Sequence, residues 1–359
     1  MFSHKRAPAA LAAVVCLLLS GCSLMTPAPS SDGNAGTSAP ATTTTKAANT
    51  TDTPAAPNTQ NLNRLTGNYD TPNGATARPV AVMIGNNTKS RPQYGLDKAD
   101  LYVEAETEGG ITRIMAVFAD ISRVPSQLGP IRSARSPFVF TAQALDAIYA
   151  HAGGSEAGLR NLANSGVSNI NALIYDGSTF WRDSGLASSK GREYSMMTNA
   201  DKLSARVQAL GYRTTSDRTL FAFGDGKQGT AATAIQVYFS GAQTISFAYN
   251  SDSGLYTKQN GALGNASVHK TADGTAITAA NVLVLYDAKY WENNTTINFS
   301  LKSGNGQLCS GGTTRPIRWS RTANGFTFTE EDGSPMQVHT GKTYICLVDK
   351  TCAGACKFQ

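Results

Sequence analysis

Seven ionisable residues in one part of the chain could together bind a charged ligand. Three are arginines beside glycine or other small residues, three are acids in or next to a run that predicts a β-strand, and one is a histidine. The set is Asp100, Glu104, Glu108, Arg113, Arg132, Arg135 and His151. The planar guanidinium group binds pairs of carboxylate or phosphate oxygens, and glycine lets a ligand approach the backbone. These residue types therefore predict a cleft for an anionic or polar ligand.

The same arginines and acids also permit a structural interpretation. Arginine pairs with carboxylates inside many folded proteins and fixes loop geometry without any ligand. A ligand site needs the charged groups to converge on an open cleft, whereas structural pairs lie dispersed in buried loops. The sequence leaves this choice open.

The segment from His151 to Glu156 contains a histidine and a serine at a spacing that suggests a hydrolase. A serine nucleophile of that type needs a Gly-x-Ser-x-Gly turn, and Ala157 occupies the last glycine position. We expect Ser155 to be a helix N-cap or a turn residue, and His151 to have its hydrogen bonds satisfied in the core or beside a cleft.

Two glycine patterns resemble nucleotide-binding motifs but lack the required context. Gly224, Gly226 and Gly229 have the dinucleotide-binding spacing, yet a strand-like segment follows, so no helix N-terminus is available for a pyrophosphate. The sequence Gly-Lys-Thr at 341–343 lacks the first P-loop glycine, because Met336 occupies that position. We interpret both patterns as turns and expect no cofactor.

Four cysteines near the end of the chain form an even set, which predicts disulfides in an exported protein. They are Cys309, Cys346, Cys352 and Cys356. Four thiols allow three connectivities, and the sequence does not choose among them. The set lacks the two Cys-x-x-Cys pairs of a structural zinc site, so we expect no metal there.

Residues 1–21 predict a bacterial lipoprotein signal peptide. A basic start with Lys5 and Arg6 precedes an apolar run too short to span a bilayer. The run ends in Leu-Ser-Gly-Cys, which resembles the lipobox, so cleavage would leave Cys22 to receive a lipid. We expect an exported protein at the outer face of the cell membrane, anchored there by lipidated Cys22.

Residues 22–77 are rich in Thr, Pro and Ala and contain few large apolar side chains. Such a segment cannot bury enough surface to offset the entropy lost on ordering. It predicts a disordered tether of about 50 residues, with a root-mean-square reach of about 40 Å.

Beyond the tether, the patterning predicts an α+β fold in two parts. In residues 78–218, apolar runs at 78–85, 101–105 and 111–119 predict strands, and helices are expected after Ser136, followed by Pro137, and after Thr198. In residues 219–359, apolar and polar residues alternate, as at 235–239 and 245–249, and no convincing helix appears. We predict a mixed α/β domain followed by a mostly antiparallel β domain.

Four motifs occur in the order found in the YerB-like lipoproteins. They lie at 91–100 (Arg-Pro-Gln-Tyr-Gly-Leu-Asp-Lys-Ala-Asp), 108–113, 129–135 and 151–155. This resemblance covers about residues 78–212. A looser one covers 234–348, through Ile317-Arg318-Trp319 and Gly341 to Tyr344, and the four late cysteines depart from the pattern. The resemblance implies two consecutive domains of unknown function behind a lipoprotein signal, and it implies no reaction.

Overall composition agrees with an exported protein built from globular domains. The chain has 359 residues, of which 41% are hydrophobic and 16% charged, and its net charge of +6 does not indicate nucleic-acid binding. We expect a binding or scaffolding role in the cell envelope, with the membrane and an envelope ligand or protein as partners. In the alternative, an enzyme would act on lipid-phosphate or glycopolymer substrates, with Asp100 or Glu104 holding a metal ion.

Overall fold

The computed structural model describes residues 60–293 and 295–359. The predicted signal peptide, Cys22 and most of the predicted tether lie outside these residues. Within them the chain forms 23 strands and four α-helices.

The first part of the chain alternates strands with helices. Its strands are β1 (Val80–Gly85), β2 (Leu101–Glu106), β3 (Thr112–Phe118), β4 (Ile148–His151), β5 (Asn169–Asn171), β6 (Trp181–Arg182) and β7 (Met196–Met197). Its helices are α1 (Ser136–Ala144), α2 (Glu156–Ser165), α3 (Ser184–Lys190) and α4 (Ala200–Ala209).

The second part consists almost entirely of strands. They are β8 (Ala222–Phe223), β9 (Thr230–Ala231), β10 (Ala234–Ser240), β11 (Gln243–Asn250), β12 (Leu255–Ala262), β13 (Asn265–Val268), β14 (Thr278–Ala279), β15 (Asn281–Asp287), β16 (Lys289–Trp291), β17 (Ile297–Phe299), β18 (Ser303–Ser310), β19 (Thr313–Thr322), β20 (Gly325–Glu330), β21 (Gln337–Val338), β22 (Thr343–Asp349) and β23 (Lys357–Phe358). The predicted α+β fold, mixed at first and mostly antiparallel later, is confirmed.

One eleven-stranded sheet contains strands from both parts. Its order is β20-β19-β18-β15-β22-β2-β3-β1-β4-β5, with β9 paired to β19. The two parts join where β2 pairs with β22 in parallel, with Leu101 opposite Thr343. The large sheet therefore continues across the domain boundary that was predicted after residue 218.

Six strands of the large sheet, β1, β2, β4, β5, β15 and β22, run in the same direction. Their last residues lie along one edge, which we call the carboxyl edge; these residues are Gly85, Glu106, His151, Asn171, Asp287 and Asp349. We call the opposite end of the strands the amino edge. In open sheets of this kind, ligands commonly bind beyond the carboxyl ends of the strands.

The two faces of the large sheet are covered differently. On one face, Met83, Val103 and Met115 belong to a core with Phe138 of α1. We call this the α1 side. The other face contributes residues such as Val82, Tyr102 and Tyr344 to a core with a second, six-stranded sheet of β13-β12-β11-β10-β23, in which β14 pairs with β12. We call this the second-sheet side.

Local capping explains where the helices begin, with two corrections to the expectations. The Ser155 hydroxyl accepts from the backbone N–H of Gly158, so the predicted N-cap of α2 is confirmed. Helix α4 is capped by Asn199 rather than Thr198, because its amide oxygen accepts from the backbone of Lys202. Ser136, which was expected to precede helix α1, is instead its first residue. The Ser136 hydroxyl accepts from Asn161 on α2 and does not cap the helix.

Candidate functional site

Three of the predicted arginines meet at the carboxyl edge, on the α1 side of the sheet. Arg113 is the second residue of β3, while Arg132 and Arg135 lie on the segment that leads into α1. Both are close enough to Arg113 to lower its pKa, and Glu108 is close enough to raise it. We call Glu108, Arg113, Arg132 and Arg135 the arginine cluster.

Backbone pairing and one glycine hold the cluster in place. The N–H of Arg132 donates to the carbonyl of Met83, and its own carbonyl accepts from Ala152, so the segment runs between β1 and the loop after β4. Gly85 pairs with Arg113 in the register of β1 and β3. A Cβ atom at Gly85 would lie 2.9 Å from Cγ of Arg132, so the absence of a side chain there makes room for the arginine.

The charges of the cluster are unequally paired. Nε of Arg135 lies 2.8 Å from both carboxylate oxygens of Glu108. Arg113 donates to the carbonyl oxygen of Ser133 at 3.0 Å, and Arg132 donates to a backbone carbonyl and lies over the Tyr194 ring, 4.8 Å from its centroid. Among the described residues, neither Arg113 nor Arg132 has a carboxylate within 4.0 Å. The arginine cluster thus contains two cations without an ion pair.

Burial makes this excess of positive charge costly. Burial first, and then the positive charge of Arg135, lower the pKa of Arg113 to about 9, so the group is still cationic at neutral pH. Burial likewise lowers the pKa of Arg132. The hydroxyl of Tyr149, near Arg113 and Arg135, is buried without a regular hydrogen bond. A bound anion would stabilise the charged arginines.

An open cleft of about 240 Å³ adjoins Arg132. Its walls combine charged and apolar side chains; they are Ile131, Arg132, Ser133, Ala152, Leu173, Arg182, Glu193 and Met196. Arg182 pairs with Asp176 at 2.9 Å. The carboxylate of Glu193 is close enough to raise the pKa of Arg132, but it lies beyond ion-pair distance. The cleft therefore has room for a small polar ligand beside Arg132.

His151 lies next to the cluster but is fully engaged. Its Nδ1 is 2.8 Å from the carbonyl oxygen of Gly153, its Nε2 is 3.3 Å from the Asn169 side chain, and its ring stacks on Tyr149. Burial lowers the pKa of the imidazole. With Ser155 acting as an N-cap, nothing in this segment resembles a nucleophile and its base.

Asp100 lies at the amino edge, immediately before β2, far from the arginine cluster. It forms a two-point ion pair with Arg123, at 2.7 and 2.9 Å, and also accepts from Asn63 at 3.1 Å. Its carboxylate is buried and its charge is neutralised. Asp100 therefore has a structural role in this fold.

Glu104 is separated from the cluster by the thickness of the sheet. Successive side chains of a strand point to opposite faces, and Glu104 shares the second-sheet side with Tyr102, whereas Arg113 lies on the α1 side. Asp100 and Glu104 thus cannot hold a metal ion together. Within residues 60–293 and 295–359 no group of three His, Cys, Asp or Glu side chains is arranged to bind a metal.

Glu104 instead belongs to a buried network that sequence reasoning missed. It accepts from the hydroxyls of Thr112 and Tyr344, and from Asn86 at 2.8 Å. Its other polar partner is Lys258, which contacts His269, which in turn contacts Gln93. We call the set the buried network; it comprises Asn86, Gln93, Glu104, Thr112, Lys258, His269 and Tyr344. One feature of the sequence could have indicated that Lys258 is buried. Side chains alternate along β12, so Lys258 lies on the same face as buried Tyr256.

The remaining sequence motifs are structural. The glycines at 224–229 lie in the loop between β8 and β9, and Gly341 lies in the loop between β21 and β22. Both interpretations as turns are confirmed.

The four late cysteines are free thiols in the structure. Cys309 on β18 and Cys346 on β22 are buried on either side of β15, while Cys352 and Cys356 are half-buried near the C-terminus. The predicted disulfides therefore stay a prediction.

In the part of the chain that the structure describes, no helix has the length and apolar character needed to cross a membrane.

Comparison with known proteins places the chain in a family. Residues 65–213 match the family described as "Protein of unknown function (DUF3048) N-terminal domain", and residues 235–345 match its C-terminal domain. The chain belongs to this DUF3048 family, in which the two domains follow one another.

The similarity extends to individual YerB proteins. "Putative lipoprotein YerB" of Bacillus subtilis (strain 168) is 28% identical over 278 residues, which are 76% of this chain and 81% of that protein. The crystal structure of YerB protein from Bacillus subtilis has a TM-score of 0.72 and 26% identity, over 82% of this chain and 98% of that one. The predicted resemblance to the YerB-like lipoproteins is confirmed, and the relative's name agrees with a lipoprotein.

Proposed function

We propose that this protein is an exported lipoprotein, anchored by Cys22, that binds an anionic ligand at the arginine cluster. Its role in the cell envelope is binding or scaffolding. One observation carries the proposal: Arg113 is buried and cationic, and within residues 60–293 and 295–359 neither it nor the neighbouring Arg132 has a carboxylate partner.

The energetics favour an anion as the missing partner. A buried charge without a counterion costs several kcal/mol, and the carbonyl of Ser133 offsets only part of that cost. A phosphate or carboxylate group supplies two or more oxygens in the geometry that guanidinium groups bind. The position at the carboxyl edge also agrees with the usual ligand site of open sheets.

A catalytic role has less support from the same geometry. The acids that the enzymatic alternative assigned to a metal ion, Asp100 and Glu104, lie in separate buried networks. His151 and Ser155 have structural partners. The cluster offers charge and shape, which suffice for binding.

The proposal is tested by calorimetric titration of the full chain with inorganic pyrophosphate and with citrate. Arg113→Gln and Arg132→Gln each remove a charge-assisted hydrogen bond worth about 1.5–3 kcal/mol, so we expect each to weaken binding at least about tenfold. Arg318→Gln is the matched control, because Arg318 is exposed on β19 and the charge change is the same.

Thermal unfolding of the same variants separates binding from folding. If Arg113→Gln and Arg132→Gln lower thermal stability without a selective loss of binding, the two arginines have a structural role. The same conclusion follows if Arg318→Gln loses as much affinity as they do. Absence of binding by the unchanged protein to both probes would contradict the proposal directly.

A further inference from the structure

We propose that the carboxyl edge docks on the surface of an anionic phospholipid bilayer. The loop with Leu173 and Ile174 and the strand with Tyr290 and Trp291 would enter the interface, and the arginine cluster would face the lipid phosphates. The contact of the arginine cluster with lipid phosphates rests on the proposed anion binding. The insertion of the loop and the strand into the interface rests on their exposed apolar side chains.

Large apolar side chains are exposed mainly at this edge. Leu173 and Ile174, two residues beyond β5, are 59% and 69% exposed, and Tyr290 and Trp291, just beyond β15, are 45% and 57% exposed. Leu159 on α2 adds a fifth, at 39%. Among the described residues only two other large apolar side chains, Tyr69 and Val268, are comparably exposed.

The leucines lie beside one another, and an ion pair connects α2 to the segment that carries Trp291. A Cβ atom at Gly153 would lie 2.8 Å from Leu173, and one at Gly154 would lie 2.9 Å from Leu159, so both leucines cover the same turn. Farther along α2, Arg160 pairs at 2.8 Å with Glu292, the residue after Trp291. The Arg160–Glu292 pair thus connects the leucines around α2 to the segment with Tyr290 and Trp291 along the carboxyl edge.

The arginine cluster lies on the same surface. Cα of Arg135 is 3.2 Å from the position of a Cβ atom at Gly158, in the first turn of α2. The N–H of Ala134 donates to Gly153, beneath Leu173. Arg132, which has no ion pair among the described residues, also lines the same cleft as exposed Leu173.

A bilayer matches this combination of groups. Tryptophan and tyrosine favour the membrane interface, because one end of the ring is apolar and the other hydrogen-bonds to water or headgroups. Leucine and isoleucine enter the acyl region, and each arginine near an anionic surface strengthens association about fivefold.

The position of the predicted anchor allows this orientation. The described chain begins at the amino edge, where Asn63 hydrogen-bonds Asp100. The six-residue strands separate the two edges by about 20 Å. Residues 23–59, as the tether that their composition predicts, would reach about 30–35 Å. The lipid on Cys22 and the carboxyl edge can therefore occupy the same membrane.

The test uses the full lipidated chain in vesicles of phosphatidylcholine with phosphatidylglycerol, in which the acyl chains are brominated or unmodified. Trp291 is exposed, whereas Trp319 is buried and Trp181 is half-buried. The fluorescence contributed by Trp291 is the part of the emission that disappears in Trp291→Phe. Brominated acyl chains should quench this part. Leu173→Ser with Ile174→Ser should reduce that quenching at least about twofold, because transfer of two large apolar side chains is lost.

A probe at the other edge is the matched control. Tyr69→Trp in a Trp291→Phe background introduces an exposed tryptophan at the amino edge, near Asp100, and its emission should escape quenching. Equal quenching of both probes would show that the anchored chain lies on the membrane without a preferred face, and would overturn the proposal.

Two further outcomes would also overturn it. One is a Trp291 emission that bromination leaves unchanged in anionic vesicles. The other is a Trp291 emission that follows protein concentration instead of lipid, which would assign the surface to a second copy of the chain. Pyrophosphate binding that persists in either case would leave the proposed anion site standing and refute only the docking.

Discussion

Nζ of Lys258 lies 3.0 Å from Nδ1 of His269, and both side chains are buried between the two sheets. With Lys258 as an ammonium group beside Glu104, Nζ donates in this contact, so Nδ1 accepts and Nε2 carries the proton. Nε2 then donates to the amide oxygen of Gln93, at 2.8 Å. The neutral tautomer of His269 thus links a loop of the first part of the chain to β12 of the second.

The carboxylate of Glu104 is the counterion of Lys258 in this network, with Oε2 at 3.8 Å from Nζ. Glu104→Gln leaves a buried ammonium without a negative partner, and we expect it to lower the free energy of unfolding by about 3–5 kcal/mol. Lys258→Met should cost a similar amount. The double variant should lose less than the sum of the two, because neither charge is then left alone.

Chemical denaturation of the three variants measures this coupling. Lys270→Met removes an exposed lysine near the same strands and should leave stability within about 0.5 kcal/mol. Strict additivity in the double variant would contradict a direct interaction between Glu104 and Lys258.

The two buried histidines predict an acid-sensitive stability. Burial, followed by the positive charges of Lys258 and Arg91, lowers the pKa of His269 well below its usual range, and burial lowers that of His151. The unfolded chain binds a proton at each histidine below about pH 6.5, while the folded chain does not. Stability is therefore full above pH 6.5. It falls as the pH drops toward the folded pKa values, by about 1.4 kcal/mol per pH unit for each histidine.

Urea unfolding at several pH values between 7.5 and 5 checks this slope. His151→Asn should reduce the slope, because one of the two buried neutral histidines is then removed. Identical slopes for the unchanged protein and His151→Asn would show that His151 is not held neutral.

Gly85→Ala should disturb the arginine cluster without changing any charge. The added Cβ would meet the hydroxyl of Ser90 and lie 2.9 Å from Cγ of Arg132. We expect a loss of about 1–3 kcal/mol in the free energy of unfolding, and weaker pyrophosphate binding. Gly354→Ala is the matched control, because nothing lies within 4 Å of its Cβ position. Unaltered pyrophosphate affinity in Gly85→Ala would argue against Arg132 as a ligand contact.

The thiols should differ in reactivity. Cys309 and Cys346 lie on strands that are separated by β15. Two strand spacings put their Cα atoms at least about 9.5 Å apart, which is too far for a direct disulfide. Burial raises the pKa of Cys309 to about 12 and that of Cys346 well above its usual range. In the reduced, folded protein, iodoacetamide should modify Cys352 and Cys356 and spare the other two until unfolding.

Mass spectrometry of peptides from the alkylated protein reports these rates, and non-reducing digestion of the exported protein tests the predicted disulfides. A bridge between Cys309 and Cys346 would be incompatible with the strand order of the large sheet.

Much of the secondary structure was predictable, because it depends on neighbours in the chain. The apolar runs at 78–85, 101–105 and 111–119 predicted strands that the structure contains as β1, β2 and β3. Ser155 was identified as an N-cap from its local context. The Thr198 prediction failed by one residue, because two adjacent polar residues can both cap a helix and only backbone geometry chooses between them.

The candidate site was only partly predictable. Arg113, Arg132 and Arg135 do meet, with Glu108 paired to one of them. Alternation shows that Glu104 and Arg113 lie on opposite faces only once the antiparallel register of β2 and β3 is known. Asp100 sits at the other end of its strand, and its partner Arg123 was not distinguished by any motif.

By itself, the sequence determined the family and the runs that become strands and helices, since each depends on residues close together in the chain, and it predicts an export signal. The tertiary structure alone decided which faces are buried and which charges are paired. Tyr344 bonds Glu104 across 240 positions, and His269 bonds Gln93 across 176. Such contacts follow from the strand order of β22 beside β2 and from the packing of two sheets, which no local pattern specifies.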